Sequence, residues 1–183
     1  MARIQKEQLL RHEPGLRPYQ IEALLNIFRY DRCLVKMFCA TGKSIVIKNT
    51  IFHSKQNLSA VVFPSLALIN QYAHEYADKE KAAINISSEN LPGIESTTEP
   101  VAIERFLRKK GDKLVLVTYQ SYDVFMSALK KLGKKINVAC YDEAHHATSP
   151  EYAKLIFNRE SYCEKQYFLS ATPPLAMFDS DRD

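Results

Sequence analysis

Residues 32–44, RCLVKMFCATGKS, decide how the chain is read. Cys33, Leu34, Val35, Met37 and Phe38 form an apolar run interrupted only by Lys36, the pattern of a buried strand. Gly42-Lys43-Ser44 follows and opens KSIVIKNTIFHSK, in which Ile45, Val46, Ile47, Ile51 and Phe52 recur at helical spacing. A strand that turns sharply into a helix carrying Gly-Lys-Ser is a phosphate-binding arrangement. The first N–H groups of the helix are unpaired, and its dipole favours an anion. In the loop Ala40-Thr41-Gly42, Thr41 and Gly42 line the cradle, Lys43 is the expected partner of the β- and γ-phosphates, and Ser44 is an expected ligand of Mg²⁺. The full pattern calls for glycine at position 37, where this chain has methionine.

Working outward, 183 residues suffice for one sizeable core. A hydrophobic share of 46% with 25% charged residues is that of an ordinary globular domain. No apolar run approaches the length of a membrane span, and the N-terminal stretch lacks a leader's apolar core. Cys33, Cys39, Cys140 and Cys163 are scattered, without zinc spacing, which fits reduced thiols in an intracellular compartment. A net charge of +4 permits a nucleic-acid partner without demanding one.

Along the chain, strands and helices alternate. Residues 1–15 read as an N-terminal extension with a short helix over 3–12. A helix begins at Pro18, and Gln20 at its start carries an amide that can donate to and accept from an adenine edge. Strands are expected at 59–64, 82–87, 113–118, 136–141 and 166–169. Helices are expected after Ser65, from a cap at Thr98 through Lys110, over 120–132 and after Ser149. The order predicts an α/β fold of the RecA-like P-loop NTPase kind: a mainly parallel sheet with helices on both faces, whose ligands bind beyond the carboxyl ends of the strands. Three polar clusters follow strand ends directly: 40–44, 142–146 and 170–172. Of the acidic pair, Asp142 suits Mg²⁺ held through its water shell, and Glu143 suits orientation or deprotonation of a water. His145 is placed to connect that pair with Ser170 and Thr172.

LRPYQ, ATGKS, VFPSLALINQ, VTYQS, YDEAHH and LSATP occur in this order between residues 16 and 174. Together they resemble the first motor domain of a superfamily 2 helicase, of the DEAH-box, type III restriction subunit-like branch. The wording PSLALINQ and the cysteine of the phosphate loop are similar to helicases of large nucleocytoplasmic DNA viruses. The resemblance implies ATP and Mg²⁺ as cofactors. It assigns adenine reading to Gln20 with Arg17, phosphate and metal binding to Lys43 and Ser44, and metal and water activation to Asp142 and Glu143. Coupling of hydrolysis to movement falls to Ser170 and Thr172. It places Pro64, Ser65, Gln71, Thr118, Tyr119, Gln120 and Ser121 along a DNA or RNA backbone, in contacts blind to sequence.

That family carries glycine where this chain has Ala40, and a second RecA-like lobe whose arginines complete the ATP site. On this reading residues 16–176 form the first lobe, and residues 177–183 begin the linker to a second one. Three activities are compatible with these motifs: a nucleic-acid-dependent helicase ATPase, a duplex DNA translocase of the restriction-motor type, and a binding scaffold that no longer hydrolyses ATP.

Overall fold

In the computed structural model, residues 4–54, 57–76, 82–148, 153, 156 and 162–172 are described. The expected helix after Ser149, the first three residues and the tail from Pro173 lie outside them, apart from residues 153 and 156, which are helical.

The elements are α1 (Lys6–His12), α2 (Pro18–Ile27), β1 (Arg32–Lys36), α3 (Lys43–Ser54), β2 (Leu58–Phe63), α4 (Leu66–Tyr76), β3 (Ala82–Ile86), β4 (Glu95–Ser96), α5 (Pro100–Arg108), β5 (Lys113–Thr118), α6 (Tyr122–Leu132), β6 (Ile136–Tyr141) and β7 (Cys163–Ser170), with 3₁₀ turns at Tyr119–Ser121 and Ala144–Thr148. All seven strands are parallel, in the order β1-β7-β6-β2-β5-β3-β4. β2 and β5 are buried along their whole length, which their Val- and Leu-rich sequences suit.

Side chains alternate between two cores, because successive strand residues point to opposite faces. Ala60, Val62, Val115 and Val117 meet Ile103 and Phe106 of α5 and Phe125 and Leu129 of α6. Val61, Phe63, Leu114 and Leu116 meet Leu24 and Ile27 of α2, Val46 and Ile51 of α3, and Ile69 and Tyr72 of α4. Leu9 of α1 is fully buried in this second core, so the N-terminal helix is packed onto the domain.

Local chemistry sets the boundaries. Pro18 and Pro100 open α2 and α5. Gly133, at φ 59°, closes α6: its N–H bonds the Lys130 carbonyl and the Lys134 N–H bonds that of Leu129. Three expectations shift. The residue capping α5 is Glu99 and not Thr98, because the hydroxyl of Thr97 takes the Glu99 N–H and turns the chain one residue later. Residues 95–96, outside every expected strand, form a two-residue edge strand against Ile84 and Asn85. β7 starts at Cys163, three residues early, because Cys163 already pairs with Ile136.

Candidate active site at the carboxyl ends of β1, β6 and β7

The strand order places β1, β7 and β6 side by side, so the three polar clusters leave the sheet as neighbours. The Met37 N–H donates to the Ser170 carbonyl at 3.0 Å and joins the phosphate loop to the end of β7. The Asp142 N–H donates to the Val62 carbonyl at 2.9 Å and extends β6 by one bond.

One chain of polar contacts crosses all three clusters. Lys43 Nζ lies 2.8 Å from Glu143 Oε1, with both side chains largely shielded from water. Glu143 Oε2 lies 3.6 Å from His145 Nδ1, and the same nitrogen lies 3.2 Å from Ser170 Oγ. Ser170 Oγ in turn accepts the Thr172 N–H at 3.3 Å. Glu143 is held at φ 45°, a left-handed conformation costly for a residue with a β-carbon. The pair with Lys43 and the Glu143 N–H donated to Asp142 Oδ1 at 3.0 Å hold it there.

Asp142 is 4% exposed and pairs with no cation among the described residues. Burial pushes its carboxyl up to about 6; the Glu143 carboxylate adds to this, while Lys43 and the Glu143 N–H oppose it. A buried carboxylate that forms no ion pair of its own among the described residues, at the same end of the sheet as the Ser44 hydroxyl, is a hard-oxygen donor set that fits Mg²⁺.

The phosphate loop depends on two left-handed residues, Ala40 at φ 59° and Gly42 at φ 82°. A β-carbon on Gly42 would come within 2.5 Å of Gln20 Nε2. Gln20 itself is buried and both ends of its amide are engaged. The oxygen accepts the Arg17 N–H at 2.9 Å, and the nitrogen donates to the Thr41 carbonyl at 2.9 Å. Gln20 is therefore a strut beneath the loop, and adenine recognition by its amide requires one of these bonds to open. Arg17 donates to the Tyr19 hydroxyl, which donates to the same Thr41 carbonyl. Tyr19 has no role among the sequence expectations, although the aromatic ring beside Gln20 in LRPYQ is an available signal for it. Tyr19 and Phe38 border a cleft of about 700 Å³ between α2 and the outer edge of β1, which Thr41 of the loop also lines.

The segments expected along a nucleic-acid backbone divide. Ser65, Gln71 and Gln120 are exposed, and Pro64 and Ser121 are half-buried, beyond the carboxyl ends of β2 and β5. Thr118 and Tyr119 are turned inward. Thr118 Oγ1 accepts the Ser121 N–H, and the Tyr119 hydroxyl, in a residue 3% exposed, donates to the Asp142 carbonyl at 3.0 Å. Tyr119 thus braces the acidic loop and is not available as a backbone contact, a correction that follows from its burial.

A parallel sheet with a phosphate loop on β1 and an acidic pair on β6 defines a RecA-like ATP-binding lobe. Residues 13–175 match the family described as "Type III restriction enzyme, res subunit", and the chain belongs to that family. It is an ATP-binding lobe of the superfamily 2 helicase type. Among solved structures it is similar to a nuclease-deletion mutant of the Type ISP restriction-modification enzyme LlaGI in complex with a DNA substrate mimic. The TM-score is 0.74 at 24% identity, covering 86% of this chain and 15% of that one. The Type ISP enzyme LlaBIII bound to DNA gives a TM-score of 0.68 at 25% identity, covering 87% and 13%. The UvsW helicase of bacteriophage T4 gives 0.68 at 13%, covering 92% and 61%. This chain thus spans less than two thirds of the length of these structures. No curated protein matches it.

Proposed function

We propose that this lobe binds ATP with Mg²⁺ and couples its hydrolysis to movement along DNA. The continuous contact from Lys43 through Glu143 and His145 to Ser170 carries this reading. It joins the group that would meet the phosphates to the loop whose displacement would be felt at the end of β7. Lys43 leaves Glu143 when phosphate oxygens compete for its ammonium. Glu143 is then free to accept a proton from, or orient, the attacking water. Ser44 and Asp142 would hold the metal, which would neutralise charge at the phosphates. Tyr19 and Phe38 offer flat apolar surface to the base in the cleft beside Thr41.

The family match and the DNA-bound Type ISP relatives support DNA as the track, whether the whole motor separates strands or moves along a duplex. A second RecA-like lobe supplying arginines is part of this proposal. So are a reducing intracellular setting, supported by the free cysteines, and the viral kinship of the loop wording. A lobe that only scaffolds is disfavoured because Lys43, Ser44, Asp142 and Glu143 stand together. Calorimetry with Mg·ATP tests the reading. Binding that disappears in Lys43→Ala is expected, and equal heats for both proteins, or none at millimolar ATP for either, would refute it.

A further inference from the structure

The net charge of the chain is confined to one place. Residues 105–135 hold nine lysines and arginines against Asp112 and Asp123, a net +7, while the rest of the chain, with sixteen cations and nineteen anions, is net −3. The fold gathers these cations at one rim. α5 and α6 pack side by side and both end where the strands begin, Lys113 of β5 lying in register with Leu58 of β2, and Ser59 with Val138 of β6. The turns 109–112 and 133–135 therefore meet at the amino ends of the strands, opposite the ATP loops.

Part of this charge has a structural use. Lys113 is buried and donates to the Lys109 and Gly111 carbonyls, closing α5. Lys109 and Arg105 pair with Glu95, and Lys131 pairs with Glu104. Cations in the last turns of α5 and α6 also favour the helix dipoles. None of this accounts for Lys110, Lys134 and Lys135, which lie past both helix ends and form no ion pair among the described residues. Lys134 is close enough to Lys113 to add, after burial, to the lowering of its pKa, with Asp112 opposing. Unpaired like charges gathered on one rim repel each other, and a polyanion relieves that repulsion.

We propose that this rim, with Arg108, Lys110, Lys130, Lys134 and Lys135, is a second nucleic-acid contact that holds the phosphate backbone of a duplex. The absence of rings argues for a duplex. Among the described residues the exposed tyrosine and phenylalanine side chains are Tyr19, Tyr30, Phe38 and Phe52, none of them on α5, α6 or the two turns. Single strands are held by base stacking on aromatic side chains, whereas a duplex presents only its phosphates to such a surface. The inference goes beyond the proposed motor activity, which places nucleic acid at the carboxyl ends of the strands.

The test is fluorescence anisotropy of the 183-residue chain with a 20-base-pair DNA duplex, in the absence of nucleotide and over a series of salt concentrations. The triple variant K110E/K134E/K135E should weaken binding roughly tenfold and flatten the salt slope by about two to three, near 0.9 for each phosphate no longer neutralised. Its Mg·ATP binding should be unchanged, which separates this surface from the ATP site. The duplex titration is run without nucleotide, so failure of the ATP reading leaves this result legible. Unchanged duplex affinity and slope in the triple variant would overturn the proposal. So would a single strand of the same length binding as tightly as the duplex, or polyglutamate displacing the duplex at equal charge.

Discussion

His145 Nδ1 stands 3.2 Å from Ser170 Oγ and 3.6 Å from Glu143 Oε2, so one imidazole touches both the acidic loop after β6 and the end of β7. Ser170 Oγ is at the same time fixed by the Thr172 N–H. Replacing His145 by alanine removes both contacts without emptying the core, because the ring is partly exposed. We expect H145A to keep Mg·ATP affinity within about threefold and to lose most of any stimulation of hydrolysis by DNA, since a coupling group changes the response and not the binding. Paired binding and turnover measurements check this. An equal fall in affinity would make His145 part of the nucleotide site.

The Lys43–Glu143 pair gives opposite expectations for its two members. Glu143→Gln frees the Lys43 ammonium from its partner, so nucleotide affinity should be kept or rise while hydrolysis falls by on the order of 10²–10⁴, the usual contribution of a positioned base. Lys43→Ala should lose affinity and turnover together. It also leaves the partly buried Glu143 carboxylate without its cation, so its melting temperature should fall as well. Matched losses of affinity in both variants would contradict the exchange of partners.

The two left-handed loop residues also separate by sign. Ala40 at φ 59° carries strain of about 1–2 kcal/mol, and glycine there gives back about 0.4–1 kcal/mol in the unfolded chain. A40G should therefore stabilise by roughly 0.5–1 kcal/mol. Gly42→Ala meets both the φ of 82° and the Gln20 amide at 2.5 Å, and should destabilise by about 2–3 kcal/mol while breaking the strut to Thr41. Denaturant melts of the two variants decide it.

How far this arrangement is legible in the sequence depends on range. β2, β5 and β6 are plain because LSAVVF, KLVLVT and INVACY are mostly apolar and rich in β-branched residues, and the helices are plain from periodicity and from Pro18 and Gly133. The gathering of 40–44, 142–146 and 170–172 follows from the rule that strand ends carry the site. What is not legible are contacts between residues far apart in the chain. Nothing in the letters pairs Lys43 with Glu143, turns the Tyr119 hydroxyl toward Asp142, or spends the Gln20 amide on Thr41. The triplet YQS gives no sign that its tyrosine is buried while its glutamine is exposed. That difference is set by where the 3₁₀ turn sits against β6. Thr98 misleads for a local reason, since two threonines precede Pro100 and only Thr97 reaches the Glu99 N–H.

Asp142 makes stability depend on pH. Its folded value of about 6 lies above the unfolded value near 4, so the folded chain holds a proton that the unfolded chain releases. The associated stability is present below about pH 4 and is lost as pH rises through 6, by up to about 3 kcal/mol. Asp142→Asn should remove this dependence and melt higher than the parent at pH 7.5 in the absence of metal. Mg·ATP should reverse the order, because only the carboxylate offers the metal its charge. Thermal melts at pH 5 and 7.5 with and without Mg·ATP read all four states. A parent whose metal-free stability does not fall between these pH values relative to D142N would show that burial does not govern this carboxyl.

ATP turnover by this chain should be slow even with DNA present. Glu143 can place a water and Lys43 can meet the phosphates, but no arginine forms an ion pair with Asp142 or Glu143 among the described residues. Arg17, the arginine tied to the loop, donates to Tyr19, whose hydroxyl is itself spent on the Thr41 carbonyl. The charge developing on a transferring phosphoryl group is stabilised by such an arginine to the extent of about 10³–10⁵ in rate. A lobe relying on Lys43 and the metal alone should therefore fall that far below the roughly 1–10³ s⁻¹ typical of enzymes. Single-turnover hydrolysis of labelled ATP, with and without a DNA duplex, measures it. A DNA-stimulated rate above about 1 s⁻¹, abolished by Glu143→Gln, would mean that this lobe carries a complete hydrolytic site and that no second lobe is needed to finish it.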